Sequence, residues 1–298
     1  MFFFNVFRST FVISSIWAVL GNASLGYSET LKITKRLSLG EVLIHAGGCV
    51  NCHTDYANNG ALLAGGKKIK TPFGTFYSPN ITSDKTHGIG KWSDEDFNIA
   101  MRKGISPNGS HYFPAFPYAA FTLLKEKDLK AIKNYIFGLP GAPQPNKPHE
   151  LVFPFNIRLG QILWKFLYFT EGPFQLDAKK SAEWNRGAYL SRAITHCGEC
   201  HTRRNVIGGL ENEFWYAGAP GASGTFEEGV PNITPHLING IGTWSINEIV
   251  TYLGTGEDPH GDFAGSSMAD VIENGTAKLS AVDRKAIAVY LKSIKSLP

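Results

Sequence analysis

All four cysteines of this 298-residue chain fall in two copies of one pattern, Cys49-Val50-Asn51-Cys52-His53 and Cys197-Gly198-Glu199-Cys200-His201. Two thiols three positions apart, followed at once by an imidazole, form the attachment signature of c-type haem. On one helical turn both sulfurs reach the vinyl groups of a single macrocycle, and the next residue falls beneath the iron as proximal ligand. The pattern predicts two covalently bound haem c groups. Cys49 and Cys52 would attach haem 1, with His53 on its iron. Cys197 and Cys200 would attach haem 2, with His201 on its iron. Rival chemistries fit less well. Cysteine pairs also hold zinc, but these pairs lie far apart, each in its own half and each followed by histidine. A dithiol redox motif asks for a βαβ setting, which the sequence does not suggest. Two disulfides would leave both histidines without a purpose.

The sixth iron ligand separates the two sites. A methionine opposite histidine stabilises ferrous iron and raises its potential. Beyond the N-terminal segment there are two methionines, Met101 and Met268. Met268 follows Gly265-Ser266-Ser267 on what reads as a loop before the last helix, and is the predicted distal ligand of haem 2. In the first half Phe116 stands at the corresponding place, and a phenyl ring cannot ligate iron. Met101 falls on a helix and reads as core. Two readings of haem 1 stay open: ligation by His111, or an apolar, vacant or water-filled distal side.

The elements that must position these groups are duplicated. Gly40 and Leu43 precede the first motif as Gly187 and Leu190 precede the second. Pro79-Asn80-Ile81-Thr82 is echoed by Pro231-Asn232-Ile233-Thr234. Gly88-Ile89-Gly90-Lys91-Trp92-Ser93 is echoed by Gly240-Ile241-Gly242-Thr243-Trp244-Ser245. Ser93 with Asp96, and Ser245 with Glu248, form capping boxes that start a helix in each half. Each half closes on an amphipathic helix that carries Ala131, Ile132 and Tyr135, or Ala286, Ile287 and Tyr290, on one face. Strand signals are weak, so the expected class is all-α, mostly helix and loop. Between the halves, five prolines from Pro140 to Pro154 predict an extended connector. An apolar stretch, Ile157 to Phe169, then reads as a short helix, either packed across both units or touching a membrane. The boundaries are 36–140 and 181–298 for the two units, with a linker over 141–180.

The N-terminus carries Arg8, an uncharged run from Phe11 to Leu20 and small residues at Gly21, Ala23 and Gly26. This predicts a signal peptide over 1–26 and a periplasmic protein, with an uncleaved anchor as the alternative. Lys plus Arg is 29 against 25 for Asp plus Glu, too even a balance to argue for nucleic acid. Asn80 and Asn232 are candidates to meet haem propionates.

With these blocks in view, the sequence resembles the multihaem cytochrome c subunits that partner periplasmic alcohol, gluconate and sorbitol dehydrogenases. The likeness rests on the two haem motifs, Ser78 to Thr82, Gly88 to Ser93, Tyr112 to Tyr118 and Ala182 to Leu190. It implies two tandem class I cytochrome c domains, joined by the connector and its short helix. It also implies a role carrying electrons from a dehydrogenase subunit toward a cytochrome, quinone site or oxidase of the respiratory chain. Peripheral membrane association is a further expectation. Against the three-haem members of the family a two-haem form is expected, and Phe116 stands where relatives commonly carry methionine. The competing reading is a dihaem peroxidase-like enzyme that uses an open haem 1. A gas-binding sensor ranks below both.

Overall fold

The structure, a computed structural model, describes residues 37–220 and 229–298; the predicted export segment over 1–26 lies outside the described residues. In the first half, α1 (Leu39–Ala46) starts on a Ser38–Glu41 capping box and leads into α2 (Cys49–His53). A loop follows, bearing the hairpin β1 (Lys68–Thr71) and β2 (Gly74–Tyr77). Then come α3 (Asp94–Lys103), α4 (Tyr118–Phe121) and α5 (Glu126–Gly138). The capping box expected at Ser93 and Asp96 is formed, and α3 ends on Gly104 in the left-handed conformation.

The connector contributes β3 (Glu150–Leu151) and α6 (Gly160–Tyr168). The second half holds α7 (Ala182–Tyr189), which runs into a π-helical turn at Leu190–Ile194. It continues with α8 (Gly198–His201), α9 (Ile246–Thr255), α10 (Ser266–Glu273) and α11 (Ala281–Ser293). The capping box at Ser245 and Glu248 starts α9 as expected.

In each half the opening helix meets the closing one at a glycine. A Cβ on Gly40 of α1 would overlap the Ala131 carbonyl and crowd Tyr135 of α5; one on Gly187 of α7 would overlap the Ala286 carbonyl and crowd Tyr290 of α11. The alanine and tyrosine faces legible in the sequence are therefore seats for these glycines, and no other residue permits so close a crossing.

The all-α expectation needs correction. The fold is mostly helical, but β1, β2 and β3 form an antiparallel sheet in that order. These strands are four residues long or shorter, too brief for a period-two pattern to show. The connector pairs at Glu150–Leu151 because that step lies between Pro148 and Pro154 and keeps its backbone donors.

A single hydrophobic cluster runs through both halves, from Ile44, Ile132 and Ile136 to Leu190, Ile194 and Ile287. Across it, the fully buried Tyr189 donates its hydroxyl hydrogen to Asp128 at 2.5 Å and accepts from the Lys125 amide at 3.1 Å. α6 packs on both halves through one face. The Trp164 indole donates to the Ile207 carbonyl at 3.1 Å, and the Lys165 ammonium to the Lys103 and Gly104 carbonyls. Its other face is open, with Phe166 84% exposed and Leu163 62%. Among the described residues no helix is long and apolar enough to cross a membrane.

Candidate functional site

α2 and α8 are short turns held by the same bonds. Each is entered through a left-handed residue, Gly48 at φ 69° and His196 at φ 37°. Each is left through a threonine whose hydroxyl accepts a backbone N–H: Thr54 from Leu63 at 3.1 Å, Thr202 from Tyr216 at 3.0 Å. The His53 carbonyl accepts from the Gly65 amide at 2.7 Å, and that of His201 from Gly218 at 2.8 Å.

The decisive repetition is at the imidazoles. His53 Nδ1 lies 2.7 Å from the Pro79 carbonyl, and His201 Nδ1 lies 2.8 Å from the Pro231 carbonyl. A carbonyl only accepts, so in both rings Nδ1 carries the hydrogen and Nε2 keeps its lone pair. Burial lowers the pKa of both rings, opposed by those same bonds, and so favours the neutral form. A neutral imidazole, oriented through Nδ1 and bare at Nε2, is what an axial iron ligand requires.

The thiols agree. Burial pushes Cys49 and Cys200 up to about 12, and raises Cys52 and Cys197 as well. Thiols raised in this way stay protonated and are not activated nucleophiles. Yet Cys52 is solvent-exposed and the other three are half-exposed. They form no disulfide, and among the described residues no three His, Cys, Asp or Glu side chains gather as a metal cluster. The donor set at each motif fits a c-type haem, with two thiols for the vinyls and one oriented imidazole for the iron.

The distal candidates part ways. The Tyr112 amide bonds to the Gly104 carbonyl and the Ala264 amide to the Gly256 carbonyl, each at 2.8 Å. This shared register sets Phe116 and Met268 at matching positions, four residues further on. Met268 is half-buried in the first turn of α10, helical rather than in the expected loop. Phe116 joins an aromatic group, its ring 5.6 Å from Tyr112 and 5.7 Å from Phe121. Met101 lies in the hydrophobic core, as expected. His111 is tied elsewhere: Lys165 Nζ is 2.9 Å from its Nδ1 while donating to two carbonyls. An ammonium only donates, so His111 Nδ1 accepts and Nε2 carries the hydrogen. That is the reverse of His53 and His201, and it leaves no lone pair for iron.

Sequence reasoning missed Pro79 and Pro231, although their place at the head of a repeated block was a signal. It also looked outward for the partners of Asn80 and Asn232. Both side chains are spent internally. Asn80 Nδ2 donates to the Ala142 and Gln144 carbonyls, Asn232 Nδ2 to the Leu297 carbonyl, and each Oδ1 accepts from the threonine two residues on.

A protein of Cereibacter sphaeroides named "Diheme cytochrome c-type" is 40% identical over 269 residues, which cover 89% of this chain and 88% of that protein. The chain belongs to the dihaem cytochrome c family. The cytochrome is also 40% identical to the fructose dehydrogenase cytochrome subunit of Gluconobacter japonicus, over 87% of its own length and 52% of that subunit's. It is 36% identical to the cytochrome c subunit of the quinone alcohol dehydrogenase of Gluconobacter oxydans, over 87% and 55%. It thus spans about half the length of these dehydrogenase subunits. No family model matches the chain.

Within the cytochrome the two motifs are neighbours. His196 Nε2 donates to the Gly47 carbonyl at 3.3 Å, joining the residue before Cys197 to the approach to Cys49. Its ring meets Phe121 edge-on at 5.5 Å.

Proposed function

We propose that this cytochrome is an exported two-haem electron carrier that takes electrons from a dehydrogenase subunit and passes them toward the respiratory chain. In this reading Cys49, Cys52 and His53 hold haem 1, and Cys197, Cys200 and His201 hold haem 2, in two tandem class I domains over 36–140 and 181–298. Each bound haem supplies a one-electron ferric/ferrous couple. The chain's own residues attach the rings, orient the proximal imidazoles through Pro79 and Pro231, and keep those imidazoles neutral. The observation that carries the reading is the matched pair of bonds from His53 to Pro79 and from His201 to Pro231.

Met268 is the distal ligand of haem 2 in this proposal, and haem 1 has no protein ligand on its distal side. His111 supports that asymmetry by accepting from Lys165. The relatives are named as cytochrome subunits of dehydrogenases, which favours a dehydrogenase as donor. A cytochrome, quinone site or oxidase is the proposed acceptor. The N-terminal sequence supports a periplasmic location. The open face of α6, with Phe166 and Leu163, suits contact with a partner subunit or membrane surface.

The test is optical and EPR spectroscopy of the purified holoprotein, oxidised and reduced, with and without CO. One low-spin histidine–methionine haem beside one CO-binding haem is the expected result. Two low-spin haems indifferent to CO would defeat the open site. Turnover of peroxide with an artificial reductant, well above that of free haem, would replace the carrier by a peroxidase.

A further inference from the structure

α10 carries Met268 yet has few means of its own to stay in place. Ile272 is its one buried side chain, and no side chain caps its N-terminus. Two residues of the first half hold it. Asn51 Nδ2, from inside the first Cys-x-x-Cys-His turn, donates to the Asp270 carbonyl at 3.0 Å. His45 Nδ1, from the end of α1, donates to the carbonyl of Asn274, the residue that ends α10, at 2.8 Å. Both acceptors are backbone, so the bonds locate the helix itself and not a mobile side chain. Lys67 joins the contact, with its ammonium 2.9 Å from the Asn51 carbonyl and 4.0 Å from the Asp270 carboxylate.

Asn51 is otherwise poorly employed. It is buried, and its Oδ1 finds no partner among the described residues. A buried amide with an orphan oxygen is costly unless its other end is needed. The matching residue of the second motif, Glu199, behaves differently and pairs with Arg204 of its own half at 2.5 Å.

We propose that Asn51 and His45 are positioning residues for Met268, so that the attachment turn of haem 1 governs how firmly haem 2 keeps its distal ligand. This rests on the reading of Met268 as that ligand. The coupling is reciprocal: whatever orders the first turn tightens α10, and Met268 ligation in turn steadies the first turn. No conformational switch is required, only a shared set of hydrogen bonds.

The experiment uses the full holoprotein with both haems attached. Asn51→Ala, His45→Ala and their double variant are compared with His45→Asn, whose amide nitrogen replaces Nδ1 as donor. Met268→Ala is the control. The readouts are the weak far-red band of a methionine–ferric iron bond, imidazole binding, and the midpoint potential of each haem. Each single loss should strengthen imidazole binding at haem 2 roughly two- to tenfold, the equivalent of one hydrogen bond. It should also weaken the band and lower the haem 2 potential, with the double variant moving further and His45→Asn restoring the wild-type values. An unchanged band, affinity and haem 2 potential in the double variant would overturn the proposal. So would a shift confined to haem 1, or a lowered melting temperature with an intact band. A band that survives Met268→Ala would instead remove the ligand reading beneath it.

Discussion

In the first half the imidazole that follows the cysteine pair leans on Pro79, and Phe116 occupies the position four residues after the Tyr112–Gly104 bond. In the second half the imidazole leans on Pro231 by a bond 0.1 Å different, and Met268 holds the matching position. The residue before each motif is left-handed in both, but it is Gly48 in one and His196 in the other. The third motif residue is Asn51, which reaches into the other half, or Glu199, which pairs with Arg204 of its own half. The two halves thus share what holds the imidazole after the cysteine pair and differ in the residue proposed to lie across the ring. The proximal side admits few solutions, because a neutral imidazole must be held through one nitrogen with the other bare. The distal side tolerates a ligand, a ring or a solvent molecule, and each choice sets a different potential.

The largest effect expected from breaking one half alone is loss of its cofactor. Cys49→Ala with Cys52→Ala should leave one covalent haem, read as the loss of one haem mass from the intact protein. An unchanged mass would mean the first motif is not an attachment site. Exchanging the distal residues sharpens the comparison further. Met268→Phe should make the second site resemble the first, abolishing the far-red band and lowering the haem 2 potential. Phe116→Met tests the converse, and a new low-spin signal would show that only the ligand is missing.

The helix crossings should respond alike in both halves. Gly187→Ala and Gly40→Ala each force a Cβ into a facing carbonyl, and each should cost about 1–3 kcal/mol in thermal or denaturant unfolding. Indifference in one half would mean that its helices can separate without loss.

The smallest effect concerns Lys165, which clamps the loop around His111 in the first half. Burial lowers its pKa from 10.5 to about 8. Between those values the folded state binds fewer protons than the unfolded chain, so this group makes stability rise with pH across that window. Below about 8 the full cost of burying the charge is present. Lys165→Met should flatten this slope in denaturant titrations at several pH values. His111→Ala should leave the spin state of haem 1 unaltered, because His111 Nδ1 is engaged with Lys165.

Much of this was legible in the residues. The motifs, the capping boxes at Ser93 and Ser245 and the alanine–tyrosine faces are local patterns, and local patterns survive in one dimension. The sheet was not legible, because its strands are too short and one belongs to the connector. The proline carbonyls were not, because the backbone acceptor of a proline is no different in sequence from any other. His111 looked like a ligand because its type allows it; only the placement of Lys165 decides which of its nitrogens bears the hydrogen.

The sequence by itself therefore determined the chemistry on offer: which side chains can bond to a macrocycle or an iron, and that the Cys-x-x-Cys-His motif occurs twice. Tertiary structure decided which lone pairs are free, which thiols are neutral and which half supports which helix. Those depend on partners far along the chain, such as His45 with Asn274 and Lys165 with His111. A hydrogen bond across the fold fixes a tautomer or a helix position that no local pattern encodes.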